Sequence, residues 1–151
     1  TCELELESYG DFETTAALHS YFNISDIQKA TVYGLGGHYF DKVADKEVYA
    51  NEPLKFNKHT DRIYSEPDEY SLLSDDGWAR TIEIHHYHNS DVVCWNPWAE
   101  LSCSMDDMPN NGYKQMACVE TARINVPMKS EAQHPARLSL VMVSRDNKPQ
   151  D

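Results

Sequence analysis

The chain is 151 residues long, 40% hydrophobic and 25% charged, the balance of a single globular domain with room for a real core. Its formal charge of −12 excludes nucleic acid and anionic membrane surfaces as natural partners, because both demand basic patches. No window is apolar for long enough to span a bilayer, and the opening Thr1-Cys2-Glu3-Leu4-Glu5 has neither the basic start nor the apolar run of a signal peptide.

Period-two patterning dominates from the first residues. Leu4 and Leu6 alternate with Glu3, Glu5 and Glu7, as a half-buried strand would. Residues 12–23 are rich in aromatic and β-compatible types. Residues 30–33 form a short strand that ends in Gly34-Leu35-Gly36-Gly37, where glycine permits turn dihedrals closed to other residues. Further strands are expected at 54–56, 62–64, 70–73, 79–87, 92–95, 115–120 and 137–143. Asp75-Asp76-Gly77, Asn89-Ser90-Asp91 and Pro109-Asn110-Asn111-Gly112 supply turn chemistry between them. Only residues 98–108 have room for a helical turn or two. Short strands at this spacing predict an all-β fold, a sandwich or a barrel.

The cysteines, Cys2, Cys94, Cys103 and Cys118, contain no CxxC pair. Three sit in apolar surroundings and read as small buried hydrophobes, which suits a reducing, cytoplasmic setting. His85-His86-Tyr87-His88 invites a metal reading, since His86 and His88 would share a strand face. No acid or cysteine lies at a spacing that completes a ligand set, so a polar strand end is expected and no metal is assigned. Trp95, Trp98 and Tyr113 are expected chiefly in packing roles, and Asn96-Pro97 in shaping the backbone. The Gly34–Gly37 cluster is too short for a dinucleotide fingerprint, and no nucleophile elbow or phosphate cradle is present.

Five segments carry a resemblance. Ala17-Leu18-His19-Ser20-Tyr21-Phe22-Asn23, Phe40-Asp41-Lys42, Thr60-Asp61-Arg62-Ile63-Tyr64, Asp91-Val92-Val93-Cys94-Trp95-Asn96-Pro97-Trp98 and Tyr113-Lys114-Gln115-Met116-Ala117-Cys118-Val119-Glu120 occur in that order. Together they resemble the C-terminal half of the hexose-6-phosphate mutarotases (glucose-6-phosphate 1-epimerases) of the aldose 1-epimerase superfamily. The WNPW segment is the most specific of the five. The resemblance implies a galactose mutarotase-like β-sandwich, with residues 1–151 forming its second half and the first half absent from this chain.

It also implies a chemistry. Interconverting hexose anomers needs a base to take the proton from the C1 hydroxyl and an acid to protonate the ring oxygen, several ångströms apart. The ring opens, the C1–C2 bond rotates, and the ring closes on the other face. By resemblance Glu120 is the base, His19 the acid and Asp61 a partner for sugar hydroxyls, with no cofactor required. Histidine suits the acid role because its ordinary pKa lies near neutrality. Read from the residues alone, His19 is a structural strand histidine, Glu120 a solvated strand-end acid, and Asp61-Arg62 a surface ion pair. Lys42 reads as a solvated charge. The arginines that clamp a substrate phosphate come, in the family, largely from the first half, and the −12 charge makes their absence here telling. The missing half or a second copy of the chain is therefore an expected partner, since a half-sandwich leaves strand edges unpaired. Two other functions stay open: an aldose 1-epimerase for unphosphorylated sugars, and a non-catalytic carbohydrate-binding sandwich.

Overall fold

The alternating patterns resolve into strands in a computed structural model that describes residues 1–7, 10–130 and 135–147. The unit expected over 1–151 includes residues 8, 9, 131–134 and 148–151, which lie outside the described residues. In chain order the strands are β1 (Cys2–Leu6), β2 (Phe12–Leu18), β3 (Tyr21–Asn23), β4 (Ala30–Tyr33), β5 (His38–Asp41), β6 (Lys46–Tyr49) and β7 (Leu54–Lys55). Then follow β8 (Thr60–Ser65), β9 (Tyr70–Asp75), β10 (Arg80–Tyr87) and β11 (Asp91–Asn96). A short helix of about two turns, α1 (Trp98–Ser104), precedes the long strands β12 (Met116–Ser130) and β13 (Ala136–Asp146). No helix among the described residues is long and apolar enough to cross a membrane.

Two antiparallel sheets form the expected sandwich. One runs β1-β13-β10-β9-β4-β7, and the other runs β2-β12-β11-β8-β5-β6 with β3 also paired to β12. Inward residues of the first sheet, Val32, Leu73, Ile82 and Ile84, meet Tyr39, Tyr64, Val92, Cys94 and Val119 of the second in one core. A smaller cluster, Met128, Ala136 and Leu138, is lined by Leu4, Leu6, Ala16 and Leu18 near the β1 and β2 edges. Gly34 holds φ +75 where a Cβ would stand 2.4 Å from the Tyr70 carbonyl, so the turn after β4 admits no side chain.

Several expectations change. The stretch 12–23 is two strands broken at His19-Ser20, and the β5–β6 hairpin was not signalled. Two cysteines rather than three are buried, Cys94 and Cys118, while Cys2 and Cys103 are exposed. β12 continues past residue 120 because Asp91 repairs its irregular middle. The buried Asp91 carboxylate accepts the backbone amides of Ile124 at 2.8 Å and Asn125 at 2.9 Å. Those bonds replace the ladder bonds lost where the β12–β2 register shifts between Arg123 and Met128.

His86 is not a polar strand end. Its ring is buried between the sheets, with Nε2 3.0 Å from the Ser71 hydroxyl and Nδ1 2.8 Å from that of Thr121. Both nitrogens are thus engaged, which removes it as a metal ligand. Burial pulls its pKa from 6.5 to about 4, with a further push from neighbouring His85. Because the folded value lies below the unfolded one, the neutral ring's stabilisation is complete above about pH 6.5 and is lost as pH falls through 4. We expect urea midpoints of the chain to drop across that interval, by at most about 3 kcal/mol from this group. A His86→Gln variant should be less stable at pH 8 yet lose less on acidification. If chain and variant ran parallel from pH 8 to 4, His86 would not be the acid-sensitive group.

Candidate active site

Strand register builds the site. β2 and β3 pair successive stretches of β12, with Leu18 opposite Thr121 and Tyr21 opposite Cys118. The two-residue break between them therefore sets His19 across from Glu120. Glu120 in turn pairs Val93, Val93 pairs Ile63, and Ile63 pairs Phe40, giving one row across the sheet. The neighbouring row on the same face runs Tyr21, Cys118, Trp95 and Asp61. Lys42 follows β5, and its backbone amide donates to the Asp61 carbonyl at 2.9 Å. Alternation sends the intervening residues Val119 and Cys94 into the core, as it does Tyr64 beyond Ile63. The site is the sheet's outer face.

At its centre, His19 Nε2 lies 3.4 Å from Glu120 Oε1. Glu120 is only 4% exposed, whereas the His19 side chain, between β2 and β3, is 47% exposed. The His19 ring stacks on Tyr21 with centroids 4.7 Å apart and meets Trp95 edge-on at 6.0 Å. Beside them Lys42 Nζ and Asp61 Oδ2 form a 2.8 Å ion pair.

The electrostatics follow from this placement. Burial, reinforced by the Asp61 charge and opposed by Lys42, raises Glu120 from 4.5 to about 7. A carboxyl at that value takes and returns protons near neutral pH far more readily than an ordinary one. Burial also pushes the Cys118 thiol well up, with the Glu120 charge adding to it. Cys118 is fully buried, and its sulfur, a His19 ring nitrogen and a Glu120 oxygen all lie within 4.8 Å of one another.

The three residues singled out from sequence thus share one face. His19 and Glu120 touch instead of standing several ångströms apart. Asp61 does not pair Arg62: successive strand residues face opposite sides, and Arg62 lies 3.4 Å from Asp41 and over the Tyr39 ring, turned away from the site. Trp95 belongs to the site wall rather than the core, because its neighbour Cys94 takes the inward position. Lys42 is exposed, as expected of a solvated charge, and also pairs with Asp61. Tyr21 and Cys118 were missed as site residues, although both lie two positions from His19 or Glu120 and so had to share their face. Asn96 matches its expected backbone role: its amide donates to the Tyr113 and Met116 carbonyls at 2.9 Å, and its oxygen accepts the Trp98 amide. A concavity of about 620 Å³ opens elsewhere, onto Tyr39, Arg62 and Tyr64, and contains neither His19 nor Glu120.

The chain matches the protein family described as "Aldose 1-epimerase" over residues 1–140. It is 47% identical over 141 residues to an Escherichia coli protein named "Putative glucose-6-phosphate 1-epimerase", an alignment covering 92% of this chain and 48% of that protein. A crystal structure of a "putative mutarotase" from Salmonella typhimurium superposes with a TM-score of 0.90 at 43% identity, over 96% of this chain and 50% of that one. A galactose mutarotase-like protein from Clostridium acetobutylicum shares the fold, with a TM-score of 0.59 at 12% identity over 95% of this chain and 51% of its own. The chain spans about half the length of the curated relatives it matches.

Proposed function

Because the chain belongs to the aldose 1-epimerase family, we propose that it supplies the acid–base residues of an epimerase interconverting the α and β anomers of hexose 6-phosphates. The observation that carries this reading is the contact between a buried carboxyl poised near pH 7 and an exposed imidazole. The C1 hydroxyl and the ring oxygen sit on the same carbon. An acid and a base in contact can therefore serve both once His19 rotates to admit the sugar. Glu120 takes the C1 hydroxyl proton, His19 gives a proton to the ring oxygen, and the C1–O5 bond breaks to leave the open aldehyde. After rotation about C1–C2, the same steps in reverse close the ring with C1 inverted. Asp61, held by Lys42, accepts hydrogen bonds from sugar hydroxyls, and Trp95 with Tyr21 walls the sugar face.

The phosphate assignment rests on the names carried by relatives and on the WNPW segment. Lys42 is committed to Asp61, so we assign the phosphate-binding cations to a segment outside these 151 residues or to another chain. In this reading residues 1–151 act as the C-terminal half of the sandwich. Its free cysteines suit a reducing, cytoplasmic setting.

The test follows α- to β-glucose 6-phosphate by NMR exchange, with the chain alone and with the uncovered half of the Escherichia coli relative added. We expect acceleration, larger with the added half, and larger for glucose 6-phosphate than for glucose. Equal acceleration of both sugars would move the assignment to an aldose 1-epimerase without phosphate preference. Sugar binding with no acceleration under either condition would leave a carbohydrate-binding sandwich and end the catalytic reading.

A further inference from the structure

We propose that His19, Cys118 and Glu120 form a three-ligand site for one thiophilic divalent cation of the zinc class. The donor set is imidazole nitrogen, thiol sulfur and carboxylate oxygen, which is the chemistry zinc prefers. The donors already converge. All three lie within 4.8 Å of one another, and the nitrogen–oxygen pair stands at 3.4 Å. Tetrahedral zinc, with bonds of about 2.0–2.3 Å, bridges donors at such separations after a small side-chain rotation. That rotation is available on one side only, which is sufficient. Cys118 and Glu120 are buried two residues apart on one face of β12, while His19 sits half-exposed on a loop and closes onto them. The fourth position faces outward, over the same surface that receives the sugar.

Other histidine–carboxylate pairs lack this convergence. His38 meets Glu47 at 2.7 Å and His85 meets Glu83 at 3.5 Å, each without a third donor among the described residues. A bound cation takes up the imidazole lone pair, the thiolate and the carboxylate oxygen together, releasing to solvent the thiol proton and any proton held by His19 or Glu120. Metal and sugar chemistry then exclude each other. Inhibition of anomerisation rests on the proposed function, whereas metal binding itself does not.

The experiment separates the two. Cobalt(II) is titrated into the full chain carrying Cys2→Ser and Cys103→Ser, which removes the two exposed thiols. We expect one equivalent to bind with a near-ultraviolet thiolate-to-metal charge-transfer band and visible tetrahedral bands, and zinc to bleach both. Cys118→Ala should abolish the charge-transfer band. His19→Gln, at an exposed position that leaves the core intact, should weaken cobalt binding by at least ~10-fold, the scale seen even for residues that only support a metal ligand. Absence of a charge-transfer band at one equivalent, its survival in Cys118→Ala, or unchanged affinity in His19→Gln would each overturn the site. Zinc binding in a chain that fails to accelerate anomerisation would leave the metal site standing and strike only the catalytic reading.

Discussion

Glu120→Gln and His19→Asn are each expected to lower the turnover of hexose phosphate anomerisation by at least ~100-fold, the usual consequence of removing a general acid or base. Both substitutions keep a hydrogen-bonding group at the position, Glu120 within paired β12 and His19 between two strands paired to it, so the face itself should persist. What disappears is proton exchange. Glutamine cannot accept the C1 hydroxyl proton, and asparagine cannot donate one to the ring oxygen. These are contributions made in the transition state, so kcat and kcat/KM should fall together while substrate binding changes little. The double variant should be scarcely worse than the poorer single one, since ring opening needs both transfers. Activity within a few-fold of the unsubstituted protein for either single variant would remove that residue from the mechanism.

Part of the fold was legible from one-dimensional pattern. Alternation at Leu4 and Leu6 and within residues 79–87 follows directly from strands that bury one side. It also separates Cys94 from Trp95 and Arg62 from Asp61, yet the strand boundaries and the identity of the buried side had to be known first. The β5–β6 hairpin escaped notice because its strands are four residues each and largely polar, with His38 and Asp41 at one pair of ends and Lys46 at another. The continuation of β12 through residue 130 was hidden for a different reason. It depends on a buried carboxylate, Asp91, reaching amides thirty-three and thirty-four residues away.

The pairing of His19 with Glu120 belongs to the same class. The resemblance named both residues, but no spacing in the chain states that they touch. That contact comes from two short strands sharing one register on β12, with the break between them falling at the histidine. Tyr21, Cys118 and Lys42 joined the site by the same long-range pairing. Local pattern therefore identifies which residues share a face, and register decides which of them meet.

Register also sets the second large effect, on pH dependence. Glu120 is buried beside Asp61 and reaches about 7, so on the acidic side the active base form becomes scarce two to three units earlier than for an ordinary carboxylate. We expect kcat/KM to fall about tenfold per pH unit below neutrality, leaving roughly 1% of the plateau at pH 5. The charges around Glu120 give the signs of two further shifts. Asp61→Asn removes a neighbouring anion and should move the acidic limb downward in pH, whereas Lys42→Met removes a cation and should move it upward. Burial is the largest cause, so neither variant should return the limb to the ordinary carboxylate value. A purely structural role for the ion pair predicts lower activity in both variants with the limb unmoved, and limbs shifting in the same direction would show that Glu120 is not the group being titrated.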